Sequence, residues 1–347
     1  MRLFKFIADW FAVFCVGATL LGLLVPEVGA PIAGVWPKFF LAGILFFTGL
    51  KLDFREAGRA LSRPWTVVYL AVMLMVVLPM GVYGAARLFL PTGLAVGVMI
   101  VAAMPAGLAC SSLTDIARGN AALALVVTMV TSLLCPLTTP WIIRLGCGAA
   151  PAGAGKEFLL AQAVFLAAIL FSPMGAAWLV RSLAPGTVAR FREAYTGLSV
   201  ISLTLLILGA MSGVSVECMT LVREKPLVAL TLALFMFGFS AALHLTGYFL
   251  AFWRPVADRA AISVNAAYVN NGLAIVFAST FYVTSTLAGS AEPLGADVVM
   301  PAILLEIPMI LAILPLKLWV RRSRARCDQP GPQEPSTKRR PVSRPPR

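Results

Sequence analysis

Two long apolar stretches in this chain are each interrupted by polar and helix-breaking residues, at matching places in its two halves. The first interruption reads Ala103-Met104-Pro105-Ala106-Gly107-Leu108-Ala109-Cys110-Ser111-Ser112, and the second reads Ala266-Ala267-Tyr268-Val269-Asn270-Asn271-Gly272-Leu273. In a bilayer each unpaired backbone N–H or C=O costs several kcal/mol, so a broken helix survives only where protein or a ligand site meets the freed groups. A matched pair of such breaks points to a carrier built from inverted repeats, with its substrate near the midplane.

The rest of the chain reads as membrane protein. Hydrophobic residues make up 60% of the 347 and charged residues 12%, with a mean hydropathy of +0.90; a soluble domain carries about a quarter charged residues. Ten apolar runs, each near the roughly 20 residues that cross a hydrocarbon core, lie at 6–25, 37–52, 65–89, 94–118 (broken), 120–144, 157–181, 193–214, 226–252, 256–282 (broken) and 296–320. The first contains Asp9 and has no small-residue cleavage site after it, so it reads as a retained helix rather than a signal peptide. Pro64-Trp65-Thr66-Val67 leading to Leu90-Pro91 has its counterpart in Lys225-Pro226-Leu227-Val228 leading to Trp253-Arg254-Pro255. Each pattern is a long helix opened by a proline, then a short turn, then a broken helix. Five spans per copy is an odd number, so the second copy enters the membrane upside down. The expected fold is therefore an all-α integral membrane protein of ten transmembrane helices. It comprises one five-helix repeat over 1–145 and an inverted one over 146–322, with broken helices 4 and 9 crossing at the midplane.

The net charge of +13 invites a nucleic-acid partner, which the distribution of charge rejects. Ten of the 28 basic residues lie from Lys317 onward, and residues 323–347 read as a disordered, Pro-rich basic tail suited to anionic lipid headgroups. Of the other 18, the side holding both termini carries twelve and the opposite side six. The positive-inside bias thus places both termini in the cytoplasm. Cys147 and Cys218 both fall in predicted external loops, where a disulfide can form.

At each break the second half-helix presents free N–H groups and a positive dipole end, which suits an anion. The first half-helix presents unpaired carbonyls, which suit a cation. The candidate binding residues are those at and near the breaks: Pro105, Gly107, Cys110, Ser111, Ser112, Thr114, Thr128, Asn265, Asn270, Asn271 and Gly272. Serine and threonine also bond back to helical carbonyls with no functional role. The paired amides Asn270-Asn271 are harder to explain so, because burying them unpaired in an apolar run is costly. Two ionisable groups at depth are candidate proton carriers. Glu306 sits in Leu304-Leu305-Glu306-Ile307-Pro308, and His244, the one histidine, lies in the eighth span. Asp9, four residues after Lys5, reads as an interfacial ion pair.

At these residues the chain resembles the bile acid:sodium symporter family, through nearly the whole chain up to about residue 320. The resemblance is carried by Phe46-Phe47-Thr48-Gly49-Leu50-Lys51-Leu52-Asp53-Phe54, by Pro105 through Pro140, with Ala117-Arg118-Gly119-Asn120 and Leu133-Leu134-Cys135-Pro136-Leu137-Thr138-Thr139-Pro140 inside it, and by Asn270-Asn271-Gly272-Leu273-Ala274. The resemblance implies a panel domain (spans 1, 2, 6 and 7), a core domain (spans 3–5 and 8–10), and transport of organic anions with sodium in a bacterial inner membrane. It also implies where sodium ligands should stand, and there the chain differs. The family's Ser-Asn pair after the first break reads Cys110-Ser111, and two hydroxyls of the fifth helix read Ala124 and Thr128. A glutamate and a glutamine at the second break read Asn265 and Val269, and a glutamine on the third helix reads Leu74. Sodium wants oxygen ligands, which Cys, Leu and Val side chains do not supply. What remains is a weak site at Ser111, Thr128 and Asn265, coupling to protons instead, or no coupling ion. No further cofactor is expected. The partners are a small organic anion and the lipid bilayer.

Two other readings stand beside the carrier. A membrane sensor on the same fold is favoured by the missing ligands, and an arsenite-permease-like exporter by Cys110. An integral membrane enzyme has no motif to rest on.

Overall fold

The computed structural model describes residues 2–51, 64–148, 155–286 and 293–327. Among these the chain is helical, with two isolated β-bridges and no longer strand pairing. The elements used below are α1 (Arg2–Asp9), α2 (Phe11–Leu24), α3 (Trp36–Gly49), α4 (Trp65–Phe89), α5 (Thr92–Ala102), α6 (Cys110–Ile116), α7 (Ala121–Cys147) and α8 (Lys156–Leu183). They continue with α9 (Arg192–Gly213), α10 (Pro226–Phe249), α11 (Val256–Ala267), α12 (Asn271–Phe281) and α13 (Met300–Cys327).

Among the described residues six helices are long and apolar enough to cross a membrane, or seven if the bent pair Phe11–Leu24 plus Pro26–Ile32 counts as one span. The ten expected runs are all helical, but they are not ten full-length spans. The two breaks divide runs four and nine into halves (α5 with α6, α11 with α12), each too short to cross alone, and α3 covers 14 residues. The first run also departs from a single helix over 6–25. Trp10 separates α1 from α2, and the chain then turns by 112° into Pro26–Ile32. A residue before proline is pushed out of the α region, and Val25 sits accordingly at φ −134°, ψ 67°. The side chains of Lys5 and Asp9, and the tail beyond residue 327, lie outside the described residues.

Local chemistry sets the element ends. Asn120 caps α7 by accepting the Leu123 N–H at 3.1 Å, and Gly148 closes that helix in the left-handed region at φ 63°. In α4 the five residues Met73–Val77 form a π turn, next to Pro79, whose missing N–H leaves the Met75 carbonyl without its usual partner.

Packing sorts the helices into two groups. Helix α9 lies against α1, α2 and α3, and α8 also packs on α3. The second group gathers around the half-helices: α10 on α11 and α13, α7 on α6, α5 and α11, and α4 on α5. Within it α5 is buried from Leu94 through Ala102 and α12 from Asn271 through Ala278. Gly247 lets α10 approach α11 closely, since a Cβ there would lie 2.8 Å from the Ser263 Cα. Small residues serve this purpose wherever membrane helices pack tightly.

The disulfide left open between Cys147 and Cys218 does not form. Cys218 is a free, buried thiol on the helix Ser215–Glu224, and Cys147 donates its Sγ–H to the Ile143 carbonyl at 3.0 Å.

Candidate functional site

The two breaks meet each other. The Gly107 N–H donates to the Tyr268 carbonyl at 2.7 Å, and the Asn270 N–H donates to the Pro105 carbonyl at 2.8 Å. Together they make an antiparallel bridge between Ala106 and Val269. Four backbone groups that lipid would leave orphaned are satisfied in this way.

Neighbouring hydroxyls satisfy more. Thr139 of α7 donates to the Ala103 carbonyl at 2.7 Å, and Thr131 accepts the Ala106 N–H at 3.3 Å while donating to the Val127 carbonyl at 2.8 Å. Cys110 is fully buried and turns its Sγ–H to the Tyr268 carbonyl at 3.2 Å. Asn270 accepts the Leu273 N–H at 3.1 Å and so caps α12, as Asn120 caps α7. Its partner Asn271 has no such local duty. Asn271 is 3% exposed, its amide reaches the Glu306 carboxyl, its Nδ2 lies 3.2 Å from the Met309 sulfur, and its Oδ1 has no partner in the protein. Glu306 is 7% exposed on α13.

The expected ion residues come together in part. Thr128 donates to Asn265 Oδ1 at 2.9 Å, and Asn265 Nδ2 donates to the Ala261 carbonyl at 2.9 Å, so both ends of that amide are used. Ser111 is half-buried and Ser112 is exposed. Thr114 is buried one turn further along, where its carbonyl accepts the Gly119 N–H at 2.7 Å and its Oγ1 lacks a partner in the protein. Pro105 and Gly272 are buried at the crossing, and Gly107 is half-buried there. Leu74 and Ala124 belong to an apolar cluster with Leu70, Leu123, Val127 and Ile262, while Val269 joins the main core. Hydrocarbon thus fills the positions where side-chain oxygens were expected. Among the described residues no three His, Cys, Asp or Glu side chains gather as a metal group.

His244 is engaged differently. Ser263 Oγ donates to the His244 carbonyl at 2.8 Å, so the 3.0 Å contact between Nδ1 and the same Oγ requires Nδ1 to carry the proton. The ring stands edge-on to Tyr268 at 5.4 Å, and its Nε2 has no partner in the protein.

Sequence reasoning passed over Tyr268, the residue that joins the most parts. Its carbonyl accepts from both Gly107 and Cys110, and its hydroxyl donates to the Met309 carbonyl at 2.7 Å. An aromatic residue placed inside a break was the available signal. Also missed was the clamp at the α6–α7 turn. There the Asn120 amide donates to Asp258 at 2.8 Å, and Asp258 pairs with Arg254 at 2.7 Å. Arg118 in that turn has a positive φ of 57°.

A family model described as the sodium bile acid symporter family matches residues 38–222, more than half of the chain. An uncharacterized sodium-dependent transporter of Bacillus subtilis (strain 168), YocS, is 29% identical over 214 residues, which is 61% of this chain and 65% of that protein. A probable chloroplastic sodium/metabolite cotransporter of Oryza sativa subsp. japonica, BASS2, is 27% identical over 151 residues, 42% of this chain and 35% of its own length. A similar chloroplastic protein of Arabidopsis thaliana, BASS1, is 28% identical over 132 residues, 38% of this chain and 32% of its own. The matched region thus spans less than two thirds of each of these relatives.

Proposed function

The chain belongs to the sodium bile acid symporter family, and from that premise we propose that it carries a small or amphipathic organic anion by alternating access, with protons on Glu306 in place of bound sodium as the coupling ion. The family is one of transporters, and the apolar helices make this member a multi-pass membrane protein. The observation that carries the proposal is the placement of Glu306 beside Asn271 at the second break, while Leu74, Ala124 and Val269 fill the expected sodium positions with hydrocarbon. An acid at membrane depth that touches a broken helix is placed to give up and take a proton as that break moves.

The proposed frame is ten spans in two inverted repeats, 1–145 and 146–322, in a bacterial inner membrane with both termini cytoplasmic. The antiparallel meeting of the two breaks supports it. The packing of α9 on α1, α2 and α3, and of α8 on α3, supports a panel that the other helices move against, with α8 also lying against α7. The anion's place is the N-terminal end of α12, where the helix dipole is positive.

Sodium coupling is the second reading, and the printed names of the relatives favour it. It would use the lone pairs that remain on Thr128 Oγ1 and Asn265 Oδ1, together with backbone oxygens at the breaks that already accept a hydrogen bond. Cys110 serves the arsenite reading poorly, since its thiol is fully buried and occupied by Tyr268.

Proteoliposomes separate these readings. Uptake of radiolabelled taurocholate and of succinate would be followed under a pH gradient, a sodium gradient, or neither. The proposal expects accumulation under the pH gradient and its loss in Glu306→Gln. Accumulation driven by sodium alone would replace it with the second reading. No uptake of either probe under any gradient would favour a sensor.

A further inference from the structure

A cavity of about 410 Å³ opens between α10 and α13, apart from the crossing and its carboxyl. That volume is within the range of small-molecule sites. Its walls are apolar: Leu245, Leu311, Leu316 and Trp319 line it, and Leu245, Leu311 and Trp319 are roughly half-exposed on the membrane-facing surface of the protein. The prolines of α13 shape it. Pro308 and Pro315 both line the cavity, and Pro315 has no N–H to offer the Leu311 carbonyl one turn earlier.

Two buried polar groups on α10 interrupt this lining. Ser240 is 1% exposed and His244 8%, and both Ser240 Oγ and His244 Nε2 lack a hydrogen-bond partner in the protein. Nδ1 of the imidazole is held by Ser263 of α11, so Nε2 turns away from α11. Because Nδ1 carries the proton, Nε2 can only accept. The two residues stand one helical turn apart on one face, so a single polar group can meet both. Leaving both unmet would cost about the desolvation of two polar groups.

We propose that this cavity binds an uncharged lipid that carries a hydroxyl group, entering from the bilayer. The hydroxyl donates to His244 Nε2 and accepts from Ser240, and the apolar body lies along Leu311, Leu316 and Trp319. Charge complementarity excludes an anionic or zwitterionic head. No Lys or Arg lines the cavity, and Arg259 is engaged by Tyr248, with its guanidinium 4.1 Å from the Tyr248 ring centroid and its Nε donating to the Tyr248 carbonyl. The site borders the machinery, since the same imidazole packs on Tyr268 at the second break.

The test uses the full chain in detergent with a photoreactive, alkyne-tagged hexadecanol. Crosslinked peptides are expected within 226–249 and 300–327. Unlabelled hexadecanol should compete about tenfold better than hexadecane or palmitate, roughly the worth of one hydrogen bond. Ser240→Ala and His244→Leu should each shrink that preference. Ala312→Phe, which keeps both polar groups and fills the space, should remove the labelling while thermal unfolding reports a folded protein. If His244→Leu does not fold, Ser240→Ala and Ala312→Phe decide the matter. Equal competition by hexadecane would reduce the cavity to an ordinary lipid-facing groove. Stronger competition by palmitate, or labelling that survives Ala312→Phe, would equally overturn the assignment.

Discussion

The two breaks solve one problem by different means. Between α5 and α6 the chain leaves helical form over Ala103–Ala109, and the freed groups are met from outside, by Thr131 and Thr139 of α7 and by the facing break. Between α11 and α12 only Tyr268, Val269 and Asn270 leave the helix, and they bring their own chemistry: a capping amide, a tyrosine tied to α13, and next to them an amide on a buried carboxyl. The first break is a structural crossing sealed by hydroxyls. The second is the one beside the buried carboxyl on which the proposed proton coupling rests. The lesson is that pseudo-symmetry of backbone does not extend to chemistry, and the coupling group is to be sought on the side where an amide has no local duty.

Four variants probe that contrast. The largest expected effect is Glu306→Gln, which removes the titrating group with little change of shape. It should abolish uptake driven by a pH gradient in proteoliposomes and leave the protein folded, because a proton relay does not work without its acid. Next comes restoration of ligands: Asn265→Glu with Val269→Gln should create a sodium-specific rise in melting temperature. The rise corresponds to about 2.7 kcal/mol when sodium stands at a hundredfold excess over Kd. Failure of that double variant to distinguish sodium from potassium would show that these positions do not surround an ion.

Thr139→Val should cost about 1–3 kcal/mol by stripping the Ala103 carbonyl of its donor. Its melting temperature should fall equally in every salt and at every pH, since the first break is structural. The smallest effect is expected of Asn270→Ala, about 1 kcal/mol for a lost helix cap. A change in proton coupling in Asn270→Ala, measured in the same uptake assay, would move the functional role from Asn271 to its neighbour.

Much of this was legible in the sequence because the bilayer restricts the options. An apolar run broken by Pro105-Ala106-Gly107 or by Val269-Asn270-Asn271 has few places to put its backbone groups, and the pairing of the two breaks follows from that scarcity. Glu306 and Asn271 could each be singled out from their apolar surroundings. Their contact could not, because 35 residues of chain separate them and only packing of α12 on α13 brings them together. Ser112 and Thr114 show a related limit: short spacing in sequence places both near the break, while α6 leaves Ser112 exposed and buries Thr114 against Gly119. Asn270 illustrates a third case, where an amide singled out at the break also caps a helix through its Oδ1. The bend at Val25 was readable from Pro26, whereas its angle depends on what Pro26–Ile32 packs against.

The central claim is that the crossing holds no sodium site, and it can be tested without knowing the substrate. Thermal unfolding of the purified chain in detergent would be compared in sodium, potassium and choline chloride at equal ionic strength. The account predicts one melting temperature in all three salts. A rise specific to sodium, growing with its concentration as expected for an ion that binds the folded state alone, would contradict it and return Thr128 and Asn265 to the role of ion ligands.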